Sequence, residues 1–305
     1  MIKFHAECMQ CLLNSAMEKA APVQDHALRA RYIREVCHIL SQVDIEHDSA
    51  PIADSQIVRL RRELLHIHDD YSDVKRIFNE LLISMQDRLR AQIEAAADPL
   101  YASMQLSVAG NYIDFGVLKE VSEDQLMQLL SSASTYQLDR AEYDILQREL
   151  RAGKRCVILH DNCGEVVLDK LMIEQIRRRY PDVCVTSIVR GSNILNDVTL
   201  ADAMQVGLQD VAEVIPNGVP EMPGTQMDLL PDHVRSVLTG ADVIIAKGQG
   251  NFETLLDTDL NVYFMLLAKC QYYQPWFGLE RFSCVLANAK RMHAQMGIGD
   301  PNCVQ

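Results

Sequence analysis

Several features are missing from this chain of 305 residues, and each absence removes a class of function. No apolar run approaches the roughly 20 residues that a membrane-spanning helix needs. The opening Met-Ile-Lys-Phe-His-Ala-Glu has neither the basic head nor the long apolar stretch of an export signal. A cytoplasmic protein with no membrane partner is expected. Positive charge is scarce: 29 Lys and Arg stand against 42 Asp and Glu, a net charge of −13. So acidic a surface does not displace counterions from nucleic acid or anionic lipid, so no nucleic-acid partner is expected either. A phosphorylated ligand stays compatible if its charge is met locally, by a metal ion or a few well-placed Lys and Arg. A paired cysteine framework is also absent. The nine cysteines are an odd, scattered set, which fits free thiols in a reducing compartment, most of them small core residues. No internal repeat or low-complexity tract is present.

What the chain does have is length and apolar content. With 48% hydrophobic residues it can bury a sizeable core, as one large or two modest domains. Residues 1 to about 105 carry almost no strand signal. Leu12, Leu13, Ala16, Met17 and Ala20 recur at helical spacing, as do Ile33, Val36, Cys37 and Leu40, then Phe78, Leu81, Leu82 and Met85. Breaks fall at Pro22, at the polar run 44–51 and at Asp98-Pro99. Charged stretches such as Arg59-Leu-Arg-Arg-Glu63 read as solvated faces. Residues 105–117 contain a compact Gly110-Asn111-x-x-Asp114 segment that reads as a turn, or as a wall of a cleft between two domains. Further helical patterns follow near 122–132 and 140–151, and Gly153-Lys154 marks a boundary. The expected organisation is a helical N-terminal region, 1–152, followed by an α/β domain, 153–305.

From residue 155 strand and helix alternate, with strand-like runs at 155–160, 183–190, 211–215, 241–247 and 262–268, and a sixth at 282–287. That alternation predicts a Rossmann-like, doubly wound, mainly parallel sheet. Ligands of such sheets bind outside the carboxyl ends of the strands. Here those ends are rich in polar residues. The first runs into His160-Asp161-Asn162-Cys163-Gly164-Glu165, the second into Arg190-Gly-Ser192 and on to Asn196-Asp197-Val-Thr199. The third ends in Pro216-Asn217-Gly218, the fourth in Lys247-Gly248-Gln249-Gly250-Asn251-Phe-Glu253, and the fifth in Lys269-Cys270.

Asp161, Asn162 and Asp197 offer oxygen donors only, which suits a hard divalent cation such as Mg²⁺ or Mn²⁺. Lys247 beside a Gly-rich helix start offers an anion cradle. Together they point to phosphate chemistry, with Lys247 and Arg190 clamping the group. Gly248-Gln-Gly250 lacks the third glycine of a dinucleotide fingerprint, and the lysine precedes the glycines, unlike a Walker loop. His160 alternates into the strand pattern and reads as structural. Cys163 reads equally as a reactive thiol or a buried filler, and Glu253 and Glu165 as helix-start carboxylates. Cys8 and Cys11 lie three apart without a second pair, so structural zinc is not indicated. They read as two buried thiols, a redox or accessory-metal role being the alternative. Two other functions stay open: a nucleotide- or S-adenosylmethionine-dependent transferase using the same strand-end cleft, and a redox or metal module built on the cysteines.

Taken in order, Cys8-x-x-Cys11, Gly110-Asn111-x-x-Asp114, Asp161-Asn162-x-Gly164-Glu165, Asn196-Asp197-Val-Thr199 and Ala246-Lys247-Gly248-Gln249-Gly250-Asn251-x-Glu253 resemble one family across essentially the whole chain. That family is the metal-dependent damage-control phosphatases, long catalogued as a domain of unknown function, in its stand-alone prokaryotic branch. The resemblance implies a helical N-terminal domain on a Rossmann-like domain. It also implies one divalent metal ion (Mn²⁺, Mg²⁺, Co²⁺ or Ni²⁺) on Asp161, Asn162 and Asp197, with Lys247 on the substrate phosphate. The substrate side is then expected to include Arg190, Ser192, Asn111, Asp114, Gly248, Asn251 and Glu253. Family substrates are small phosphorylated metabolites: sugar phosphates, phosphopantetheine and damaged forms. Asp161 has two roles open to it, as nucleophile or as metal ligand.

Overall fold

A computed structural model of the chain describes residues 4–68, 70–111, 126, 130, 132–270, 278 and 280–295. Its centre is a six-stranded sheet: β1 Arg155–Leu159, β2 Cys184–Val189, β3 Glu213–Pro216, β4 Val243–Lys247, β5 Val262–Leu267 and β6 Cys284–Asn288. The strand order is β3-β2-β1-β4-β5-β6, with every pairing parallel except β5 with β6. This is the doubly wound order, in which the strand sequence runs outward in opposite directions from β1 and from β4 and leaves a crevice at their carboxyl ends. Pro216, which lacks an N–H, ends β3 at the sheet's edge.

Alternation along the strands separates two cores. Cys156, Ile158, Val185, Val189, Val243, Ile245, Tyr263 and Met265 face one layer of helices. Val157, Leu159, Ile188, Ile244, Ala246, Phe264 and Leu266 face the other. Both faces being covered is what the near-continuous apolar runs of β1, β4 and β5 require.

Eleven helices are described, α1 Ala6–Ala20, α2 His26–Gln42, α3 Ala50–Leu65, α4 Ser72–Glu94, α5 Pro99–Gly110, α6 Arg140–Ala152, α7 Glu165–Arg179, α8 Leu200–Gln205, α9 Asp232–Thr239, α10 Gly248–Leu255 and α11 Ala289–Gln295. The breaks expected at Pro22, 44–51 and Asp98-Pro99 coincide with helix ends. None of the described helices is long and apolar enough to cross a membrane.

The apolar core does not divide at Gly153. Residues of α4, α5 and α6 share one continuous core with α7 and one sheet face, whereas α1, α2 and α3 close around a smaller core of Phe4, Tyr32, Val36, Leu40 and Ile57. The reason lies in α5, whose residues from Leu100 to Gly110 are all buried except Ala102. Such a helix belongs between other elements and is not a surface of a separate domain. This also corrects the reading of 105–110 as a turn: those residues are the last turns of α5. Asp114, and most of the helix expected near 122–132, lie outside the described residues.

Candidate active site

Two loops are zipped together at the crevice. After β1 the chain bridges to the segment after β2: Val198 N donates to Asp161 O (2.8 Å), Cys163 N to Asn196 O (2.9 Å), and Asn162 and Asp197 face each other in an isolated antiparallel bridge. Side chains separated by 36 positions therefore converge. Helix α4 holds both loops in place. The buried Lys75 ammonium pairs with Asp202 (2.6 Å) and donates to Asn193 Oδ1 (3.2 Å). Asn79 Oδ1 accepts from Gly164 N (2.7 Å), and Asn79 Nδ2 donates to Gln205 (2.9 Å).

Arg190 spans the two carboxylates. Its Nε donates to Asp197 Oδ2 at 2.6 Å and its Nη1 to Gly224 O at 2.7 Å. Its Nη2 lies 3.6 Å from Asp161 Oδ1 and is buried without a hydrogen-bond partner among the described residues. On the other side, two amides grip Asp161 and Glu165 together. Asn111 Nδ2 donates to Asp161 Oδ2 (3.2 Å) and Glu165 Oε2 (2.9 Å), and Asn162 Nδ2 to the same two oxygens (2.7 and 3.0 Å). Gly248, at φ +76°, closes the third side: a Cβ there would lie 2.0 Å from Asp161 Oδ2, so only glycine admits the carboxylate.

Burial and crowding set the charge state. Burial first, then the negative charges of Asp197 and Glu165, push the Asp161 carboxyl up to about 7 against the pull of Arg190 and Lys269. Asp197 is also held above the ordinary carboxylate range, by burial, with Arg190 opposing. Arg190 alone thus does not balance the pair.

This donor set accommodates a divalent cation. Among the described residues no group of three or more His, Cys, Asp or Glu forms a cage of its own. What remains is two under-compensated carboxylates and the carbonyl oxygen of Asn162, whose Nδ2 is turned to Asp161 and Glu165. Such an oxygen-only, incomplete shell suits a hard cation that keeps waters or substrate oxygens.

Comparisons with known proteins give the family of this fold. The sequence pattern described as the "Damage-control phosphatase ARMT1-like domain" matches residues 4–285. The chain belongs to that family. A damage-control phosphatase of Archaeoglobus fulgidus is 32% identical over 277 residues, covering 88% of this chain and 93% of the relative. Another from Pyrococcus horikoshii is 29% identical over 273 residues, covering 88% and 92%. A crystal structure of a DUF89 family protein from P. horikoshii superimposes with a TM-score of 0.81 at 26% identity, over 93% of this chain and 98% of that one.

Within this family member the structure gathers Asp161, Asn162, Asp197, Arg190, Asn111 and Gly248 at one place, and corrects several expected roles. Lys247 does not reach into the crevice. Its Nζ is fully buried and donates to Ser107 Oγ (2.8 Å), Ser107 O (3.3 Å), Asp169 Oδ1 (2.8 Å) and Glu165 Oε1. Asn251 is likewise sealed, donating to Lys247 O (2.8 Å) and accepting from Thr225 Oγ1 (2.8 Å) and Arg190 Nη1 (3.3 Å), so it braces Arg190. Ser192 Oγ accepts from Glu221 N (2.9 Å) and Glu253 from Gln249 (2.8 Å), both at the margin. His160 is structural, its ring between Asp169 Oδ2 (2.8 Å) and Ser187 Oγ (3.0 Å). Cys163 is a buried filler whose thiol burial pushes well above its ordinary range.

Cys8 is half-buried and Cys11 exposed, so they are not two buried thiols, and only Cys156, Cys163 and Cys284 are buried among the described cysteines. Arg61, expected on a solvated face, is buried. Glu165, read as a helix-start carboxylate, is the central acceptor of the site. Lys75, Asn79, Ser107 and Asp169 also support the site, and none belongs to a strand-end motif. Their one signal is polar residues placed on faces that apolar neighbours show to be buried.

Proposed function

We propose that this chain is a metal-dependent phosphatase of small phosphomonoesters. Its substrates are sugar phosphates, phosphopantetheine-like compounds or damaged phosphometabolites, and it works in the cytoplasm. One divalent ion, Mn²⁺, Mg²⁺, Co²⁺ or Ni²⁺, is held by Asp161, Asn162 and Asp197. When bound, the ion polarises the phosphoryl oxygens and offsets their developing charge. The observation that carries the reading is the Arg190 guanidinium: it lies between two carboxylates, and its buried Nη2 donor, 3.6 Å from Asp161 Oδ1, has no hydrogen-bond partner among the described residues. A buried donor left open in this way is costly unless a ligand oxygen completes it. A phosphate oxygen does so with the fork geometry that arginine favours.

The remaining residues orient and exclude. Asn111 and Asn162 tie down Asp161 Oδ2, so Oδ1 is the atom turned toward Arg190 and the reacting group. Gly248 lets the start of α10 come against that carboxylate. Lys269, at the end of β5, adds positive field. Membership in a family with relatives named damage-control phosphatases supports hydrolysis over group transfer.

Phosphate release from a panel of phosphomonoesters, run with each divalent ion and with chelator, tests this reading. Metal-dependent release that disappears in Asp161→Asn and Asp197→Ala is expected. Folded, metal-loaded protein that releases no phosphate, yet is stabilised by a nucleotide or S-adenosylmethionine without metal, would point to a transferase instead.

A further inference from the structure

Behind the crevice lies a closed chain of buried polar groups. Glu165, Asp169, Lys247, His160, Ser107 and Ser187 are all essentially inaccessible to solvent. An ammonium has three N–H donors, and those of Lys247 are used up by Ser107, Glu165 and Asp169. None is left for a phosphate. Asp169 in turn accepts from Ser107 Oγ (2.5 Å) on Oδ1 and meets the His160 ring on Oδ2 (2.8 Å), and His160 ends on Ser187 (3.0 Å). Glu165 is the only member that faces both ways. Oε1 takes Lys247, while Oε2 takes the two amides that also grip Asp161.

We propose that Lys247 is a positioning residue: through Glu165 it fixes the Asn111 and Asn162 amides, and so sets the orientation of the Asp161–Asn162 ligand pair, without touching the substrate phosphate. The inference rests on the reading of Asp161, Asn162 and Asp197 as the metal site. It follows from the geometry of one carboxylate. With Lys247 in place, Oε1 of Glu165 is anchored and Oε2 faces the amides in a single orientation. Each amide then presents its Nδ2 to Oε2, which would leave the carbonyl oxygen of Asn162 to serve as a ligand when a cation is bound. Without Lys247, Glu165 and Asp169 are two buried carboxylates with no shared cation, an arrangement that rearranges or takes up a proton. The amides lose their common acceptor geometry in either case. The positive charge is secure in the native protein, because Asp169 and Glu165 raise the Lys247 ammonium above its ordinary range despite burial.

The test compares Lys247→Met and Glu165→Gln with the wild-type protein by Mn²⁺ titration calorimetry, by kcat and KM on one phosphomonoester, and by inhibition with inorganic phosphate. Both variants are expected to weaken Mn²⁺ binding by about 10- to 100-fold, as loss of a partner that orients a ligand does. Both should lower kcat, while KM at saturating Mn²⁺ and the phosphate inhibition constant stay within about threefold. If Lys247→Met does not fold, Glu165→Gln carries the test, since it keeps the side-chain shape but turns one of the two acceptor oxygens into an amide donor, which cannot accept from both Lys247 and the two asparagines. The inference is overturned if Lys247→Met, or in its place Glu165→Gln, leaves Mn²⁺ affinity intact. For Lys247→Met that result would take one of two forms. A rise of tenfold or more in KM and in the phosphate constant would make Lys247 a phosphate ligand. A lowered melting temperature alone, with affinity and kcat unchanged, would make its role purely structural. Wild-type protein that binds no Mn²⁺ removes the metal reading and this inference together, and is distinguishable because it needs no variant.

Discussion

Asp161 carries the largest consequence of any single residue. Its carboxyl titrates near 7 in the folded, metal-free chain, against about 3.9 in an unfolded one. The folded state therefore holds the proton more tightly, and this group's contribution to stability is present below about pH 4 and is lost as the pH rises toward 7. A cation reverses the balance by holding the anion. The rise in melting temperature on adding Mn²⁺ should be small at pH 5 and should grow toward pH 8, which differential scanning fluorimetry measures directly. A flat response would mean that Asp161 does not meet the metal. Asp169 behaves oppositely. Burial would raise it, but Lys247 and His160 hold it down to about 2, so its contribution is kept above pH 4 and lost as the pH falls toward 2. Gly248 supplies a second prediction. Ala in its place puts a Cβ 2.0 Å from Asp161 Oδ2 at a positive φ. Gly248→Ala should lower Mn²⁺ affinity and kcat by at least about tenfold, checked by calorimetry and phosphate release.

Among the elements, α5 and α7 matter most, since one brings Asn111 and the other Glu165. They touch at Gly110, where an added Cβ would stand 2.7 Å from Leu168 Cδ1 and 3.3 Å from Glu165 Cγ. Gly110→Ala should therefore push the helices apart, costing about 1–3 kcal/mol by overpacking and lowering Mn²⁺ affinity through Glu165. Leu168→Ala alone should cost about 2–5 kcal/mol as a cavity. The double variant should cost less than the sum, because the new methyl partly fills the space. Denaturant unfolding of the four proteins decides it, and strict additivity would show that the contact is absent. These two helices also mark the limit of what the sequence discloses. The strands were legible because β-branched runs end abruptly in polar residues, and Asp161, Asn162, Asp197 and Arg190 were legible because they sit at those ends. Helix α5 was not, since a helix buried all round has no apolar stripe to read. Glu165 and Asp169 look like a solvated face of α7, and the end of α5, whose Ser107 and Asn111 bond them, makes that face an interior.

At the scale of the whole molecule, the sheet order and its switch point decide where chemistry occurs. The −13 net charge is offset locally at the crevice by Arg190 and Lys269, the two positive charges that act on Asp161. Helices α1 to α3 form a core of their own, while α4 to α6 complete the layer on the sheet, so the division a reader places at Gly153 is a change of secondary structure and not of packing. The most direct test of the account is phosphate release from one small phosphomonoester by protein stripped with chelator and then titrated with Mn²⁺, in wild type and Asp161→Asn. Wild type should be inactive when stripped and recover fully with Mn²⁺, with Asp161→Asn inactive throughout. Turnover that ignores the chelator, or survives in Asp161→Asn, would contradict it.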